Sequence, residues 1–306
     1  MNKPISKGGS MLERAAEVYD FQAHLRQRDL PAIGPVVESA PLVVAPVVAE
    51  APKAAPVRPT PRRTVAIDRQ LLAENELLIP GAPVGVLAEE FRLAKRQLLL
   101  TARALGKSDS AKARTILVCS PKPNEGKTYC SVNLAISMAA ESDTHVLLVD
   151  ADFAKPDVMK RLGVEDGPGL LDALADPRID IESCVVGTDI PQLSLLPAGK
   201  PSNSDTELVA SDRTAKLIEQ LLAADPNRVL IFDSPPALAA SPASVLALHV
   251  GQVMLVVRAD KTSEGEIRDT VQRLDGCDHI QLLLNSVAFS AGGHRYGNYY
   301  GQEDGQ

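Results

Sequence analysis

The sequence predicts an α/β fold over residues 67–288, a doubly wound, mostly parallel sheet with helices on both faces. Three observations predict it. Apolar runs of strand length alternate with helical segments, a phosphate-loop pattern joins the first run to the next helix, and acidic residues end two later runs. Alternation of this kind is the signature of parallel βαβ units, whose right-handed crossovers place helices on both sides of one sheet.

The elements follow in order. Residues 1–30 contain an amphipathic helix over 10–28, with Met11, Leu12, Ala15, Val18 and Leu25 near one face and Arg14, Glu17, Arg26 and Arg28 polar. Such a helix either docks on its own domain or binds a partner or a membrane surface. Residues 31–66 are rich in Pro, Ala and Val and carry the basic run from Arg58 to Arg63, so they read as an extended linker. A helix spans 87–104. The apolar runs then fall at 115–119, 145–149, 193–196, 229–232, 253–257 and 281–284, with helices between them. Residues 289–306 form a Gly-rich tail.

Composition bounds the function. With 306 residues and 45% hydrophobic side chains a sizeable core is available, and with no Trp it must be aliphatic. A net charge of −7 argues against binding nucleic acid through bulk electrostatics. Cys119, Cys130, Cys184 and Cys277 show no metal-ligand spacing; Cys119 and Cys130 fit small buried hydrophobes in a reducing compartment. The first ten residues are polar with no apolar signal region after them, and no run reaches 18 apolar residues. A soluble, cytoplasmic protein is expected.

The first strand ends in Ser120-Pro-Lys-Pro-Asn-Glu-Gly-Lys-Thr128, leading directly into a helix over 129–140. A loop between a strand and a helix N-terminus turns backbone N–H groups and a positive dipole end toward phosphate. Nucleotide contacts are expected from Pro123, Asn124, Glu125, Gly126, Lys127, Thr128 and Tyr129. Gly126 allows close backbone approach, Lys127 reaches the β- and γ-phosphates, and the Thr128 hydroxyl suits Mg²⁺. Pro121 stands where the strict pattern has Gly, so this is a P-loop NTPase motif of deviant Walker type; Asn124 tolerates left-handed backbone angles.

Asp150 and Asp152 end the second run and Asp233 the fourth, before Ser234-Pro235-Pro236. Ligands of open α/β sheets bind at the carboxyl ends of strands. Carboxylates arriving there beside Lys127 and Thr128 suit a hard cation, with Thr128, Asp152 and Asp233 as Mg²⁺ ligands and ATP as its companion. Three of the five tyrosines, Tyr296, Tyr299 and Tyr300, lie in the last eleven residues. Beside a phosphoryl-transfer site they read as substrate; without one, as part of a disordered tail.

These motifs together resemble the bacterial tyrosine kinases, which share a superfamily with the MinD/ParA ATPases. The chain is most similar to the exosortase A-associated tyrosine autokinases of exopolysaccharide clusters. The resemblance runs from about Asp68 onward and includes Glu89-Glu-Phe-Arg92-Leu-Ala-Lys95, Leu196-Pro-Ala-Gly199 and Val-Val-Arg-Ala-Asp-Lys-Thr262. It implies an ATP-dependent tyrosine autokinase that phosphorylates tail tyrosines in trans, in a ring whose contacts include Glu89, Arg92 and Lys95. It further implies Asp150 as the group that activates the tyrosine hydroxyl, with Lys127, Asp152 and Asp233 completing the catalytic set. A membrane co-polymerase as activator, recruitment to the inner membrane face and a cognate tyrosine phosphatase also follow from the resemblance. Asn285 lies where related ATPases contact adenine; a strand-end turn is its alternative.

The chain departs from the family at Ala154, where an Arg is usual, and after Pro236, where an acidic residue is often found. Lys122 occupies the position of the MinD/ParA signature lysine and is expected to be an exposed loop residue. Two other readings remain: a MinD/ParA-like ATPase acting as a nucleotide-gated dimer, and a catalytically weak binding module.

Overall fold

The computed structural model describes residues 63–287. The helix expected within residues 1–30, the linker up to residue 62 and the tail tyrosines lie outside the described residues.

The central feature is an eight-stranded sheet. Its strands are β1 (Arg63–Val65), β2 (Thr115–Cys119), β3 (His145–Asp150), β4 (Val186–Thr188), β5 (Leu193–Leu196), β6 (Arg228–Asp233), β7 (Gln252–Arg258) and β8 (Ile280–Asn285). They lie in the order β1-β4-β5-β3-β6-β2-β7-β8, all pairs parallel except β4 with β5. Strand β2 runs between β6 and β7, so the loop leaving it emerges mid-sheet. Strands β3 and β6 are in register at Asp150 and Asp233, which sets two carboxylates side by side at the same sheet edge.

Every expected run is a strand; those inside the sheet are buried on both faces and so read as continuous apolar runs, while β8 at the edge exposes Leu282 and Leu284. Alternate residues feed opposite cores. Leu117, Leu147, Val149, Leu230 and Phe232 pack under α5 (Leu170–Ala175), α7 (Asp212–Ala224) and α8 (Pro242–Ala247). Ile116, Val118, Leu148 and Ile231 pack against α2 (Val86–Leu105), α3 (Lys127–Ala139) and α4 (Val158–Arg161). The remaining helices are α1 (Arg69–Glu74), α6 (Asp205–Val209) and α9 (Glu264–Arg273). Cys119 and Cys130 are buried in these cores, and burial pushes the Cys130 thiol up to about 12.

The structure corrects one boundary. Residues 63–65, expected as linker, form β1 on the outer side of β4. Asp189 fastens the segment: its backbone N–H donates to Val65 O at 3.0 Å, and its Oδ1 accepts the Ile67 N–H at 2.9 Å. Single short edge strands of this kind carry no periodicity to read.

Among the described residues no helix is long and apolar enough to cross a membrane.

Candidate nucleotide and phosphoryl-transfer site

The site is built on the carboxyl ends of β2, β3 and β6. Past β2, Asn124 and Gly126 both take left-handed backbone angles, φ 63° and 98°. Gly126 caps α3 without any side-chain bond, so the helix N-terminus stays open to an anion. A Cβ at Gly126 would meet Asn285 Nδ2 at 2.2 Å, so this position is restricted both by its angle and by its neighbour.

Lys127 opens α3 and sends Nζ to within 2.6 Å of Asp152 Oδ2; both side chains are largely buried. Thr128 is buried beside them. Asp233 is fully enclosed: Oδ1 accepts from Ser131 Oγ at 2.9 Å, while the buried Oδ2 has no hydrogen-bond partner. Burial raises its carboxyl to about 6, with Lys127 pulling the other way.

That orphaned oxygen, the Thr128 hydroxyl and Asp152 make an oxygen donor set of the kind Mg²⁺ takes. Among the described residues no group of three or more His, Cys, Asp or Glu could hold a metal alone. Mg²⁺ commonly keeps water and substrate phosphate among its ligands.

Asp150 is placed differently from a residue facing a substrate. Its Oδ2 accepts the N–H groups of Asp157 and Val158 at 3.1 and 3.0 Å, and its Oδ1 accepts that of Asp152 at 3.3 Å. Burial, then the neighbouring Asp233, raises its carboxyl to about 8. In this conformation Asp150 closes the loop from β3 to α4.

Three other expected site residues turn to different partners. The Tyr129 hydroxyl donates to Glu76 O at 3.0 Å, away from the phosphate loop. Glu125 is buried, with Oε2 accepting the Lys122 N–H and Oε1 the Thr262 hydroxyl. Asn285 reaches the loop through Nδ2, which donates to Glu125 O at 2.9 Å. Lys122, expected to be an exposed loop residue, is half-buried and pairs with Glu266 at 2.8 Å. Pro123 is exposed at the loop's tip.

On α2, Glu89 and Arg92 form an exposed ion pair one turn apart. Lys95 is a correction. Expected at a contact between copies, it is buried, donating to Ser137 O at 3.0 Å and pairing with Glu141. A cation at the end of α3 is favoured by the carbonyls exposed there. The sequence reading assigned no site role to Thr262, Ser131 or Glu266, although Thr262 ends a motif that carries the resemblance and Glu266 stands in the Ser263-Glu-Gly-Glu266 capping box of α9.

Fold and site together define a P-loop nucleotide-binding domain with a mostly parallel sheet. The AAA domain family matches residues 113–276, just over half of the chain, and the chain belongs to that family. It is similar to bacterial tyrosine kinases. Tyrosine-protein kinase wzc of Salmonella typhimurium is 30% identical over 234 residues, covering 75% of this chain and 31% of that protein. Tyrosine-protein kinase YwqD of Bacillus subtilis is 29% identical over 193 residues, covering 62% of this chain and 79% of that protein. The crystal structure of the VpsO kinase domain matches with a TM-score of 0.51 and 28% identity, covering 64% of this chain and 98% of that one. The chain thus spans under a third of the length of the longer relatives it matches.

Proposed function

We propose that this protein is an ATP- and Mg²⁺-dependent protein-tyrosine kinase that phosphorylates its own tail tyrosines, Tyr296, Tyr299 and Tyr300, in trans within an oligomer. The observation that carries the reading is the meeting of Lys127, Thr128, Asp152 and the orphaned Asp233 oxygen at the open N-terminus of α3.

The triphosphate lies along residues 124–128, where the left-handed turns and the α3 dipole receive it. Lys127 exchanges Asp152 for the β- and γ-phosphates and offsets the charge developing on the transferred group. Thr128, Asp152 and Asp233 hold Mg²⁺, which supplies neutralisation of the phosphate charge. The tyrosine oxygen attacks the γ-phosphorus, its bond to the bridging oxygen breaks, and ADP departs. Once the segment after Asp152 moves off it, Asp150 is free to take the phenolic proton as a carboxylate.

The exposed Glu89–Arg92 pair supports a contact between copies, as does the groove of about 600 Å³ beside it, lined by the exposed Ile79 and Val84. The motif resemblance to autokinases of exopolysaccharide clusters supports a role in exopolysaccharide biosynthesis and export. There a membrane co-polymerase recruits the chain to the inner membrane face and activates it, and a tyrosine phosphatase resets it. Phosphotyrosines gathered in one ring repel, which favours disassembly.

Mass measurement of the full chain after incubation with ATP·Mg²⁺ tests the reading. Phosphate is expected on the tail tyrosines of the native chain and absent in Lys127→Met. Nucleotide hydrolysis with an unmodified chain would support the ATPase alternative instead.

A further inference from the structure

The phosphate loop is an irregular segment with two left-handed residues, Asn124 and Gly126, and no ladder of its own. A strained shape of this kind persists only where the surroundings over-determine it. Here the restraint comes from outside the loop, from the turn between β7 and α9.

That turn is closed by two bonds between its ends. Thr262 N–H donates to Arg258 O at 3.0 Å, and Thr262 Oγ1 accepts the Arg258 N–H at 3.1 Å. Its end at β7 is tied to β8 by Ala259 N–H donating to Asn285 O at 2.9 Å. From this frame the Thr262 hydroxyl donates its proton to Glu125 Oε1, while Glu125 Oε2 accepts the Lys122 N–H at 2.8 Å. Arg258 donates to Asn124 O at 3.4 Å, and Lys122 Nζ reaches Lys261 O and Glu266. Glu125 is only 3% exposed.

A carboxylate one residue before the phosphate-binding glycine is an unfavourable neighbour for a triphosphate. Buried charge also requires hydrogen bonds to be tolerated at all. Glu125 meets both conditions by turning inward, and its two oxygens then bridge the start of the loop to the turn.

We propose that Glu125 is a positioning residue, and that its bond to Thr262 locks the phosphate loop in the shape that receives ATP. The inference rests on the reading of this loop as an ATP site. The Glu125–Thr262 pair then acts on nucleotide affinity, apart from any step of phosphoryl transfer. Thr262→Val removes the donor to Glu125, and with it the acceptor of the Arg258 N–H, at nearly constant volume; Thr262→Ser restores both.

The test is ATP·Mg²⁺ affinity by calorimetry on the full chain, for the native protein, Thr262→Val, Thr262→Ser, Glu125→Ala and the Glu125→Ala/Thr262→Val pair. Thr262→Val is expected to weaken binding roughly tenfold, the scale of a lost bond to a charged group. Thr262→Ser should stay within about threefold of native on the same scale. The double variant should lose less than the sum of the two single losses, since the Glu125–Thr262 bond is removed by both. Native affinity in Thr262→Val, or a Thr262→Ser as weak as Thr262→Val, overturns the proposal, as do losses that simply add. Tyrosine phosphorylation plays no part in this readout. A native chain that binds ATP but transfers nothing contradicts the kinase reading alone, and one that binds no ATP contradicts the site itself.

Discussion

Lys127 Nζ and Asp152 Oδ2 stand 2.6 Å apart, so the lysine proposed to bind phosphate is paired with an acid from the neighbouring strand end. Removing one member of a buried pair leaves the other charge uncompensated. Asp152→Asn should therefore lower the stability of the nucleotide-free protein by about 3 kcal/mol. Saturating ATP should recover part of the loss, because its phosphates replace the missing carboxylate. Urea denaturation with and without nucleotide measures both.

The carboxyls of Asp150 and Asp233 are raised from 3.8 to about 8 and about 6 in the folded protein. The folded state therefore keeps protons that the unfolded chain has released, and stability falls as pH rises. In chelator, the urea midpoint should be highest near pH 4 from these two groups. It should decline through about 6 for Asp233 and about 8 for Asp150. Asp233→Asn should flatten the lower part of that decline. A native midpoint that climbs across this window would contradict the placement of the two acids.

Gly126→Ala should abolish nucleotide binding and cost on the order of 2 kcal/mol of stability, from its left-handed angle and the overlap with Asn285. Adding Asn285→Ala removes the overlap but not the angle. Thermal unfolding of the double variant should therefore recover only part of the loss.

Lys95 and Arg92 separate by consequence. Lys95→Met should destabilise the fold by about 1–3 kcal/mol, through the loss of its bonds to Ser137 and Glu141, and leave self-association unchanged. Arg92→Glu should barely alter stability, being exposed, but should shift the oligomer toward monomer if the α2 face is the contact. Light scattering and thermal unfolding on the same samples distinguish the two.

Much of this was legible in the sequence, for identifiable reasons. The runs ending at Cys119, Asp150 and Asp233 announce themselves because parallel strands buried on both faces must be apolar throughout. Gly126, Lys127 and Thr128 were legible because the phosphate loop demands them at fixed spacing. Strand β1 was hidden, since three residues held by Asp189 carry no period. The inward turn of Lys95 was hidden too: helical spacing places it near Arg92, but only the end of α3 packed against it makes it a cap. Glu125 and Thr262 are 137 residues apart, and no local pattern joins them.

The central claim is that this site passes a phosphoryl group from ATP to a neighbour's tail tyrosine. Mixing two variant chains, neither able to modify its own tail, tests it most directly. One carries Lys127→Met with its tail intact; the other carries Tyr296→Phe, Tyr299→Phe and Tyr300→Phe with its site intact. With ATP·Mg²⁺, phosphotyrosine is expected on the Lys127→Met chain only in the mixture. A mixture that consumes ATP and leaves that tail unmodified would contradict the account.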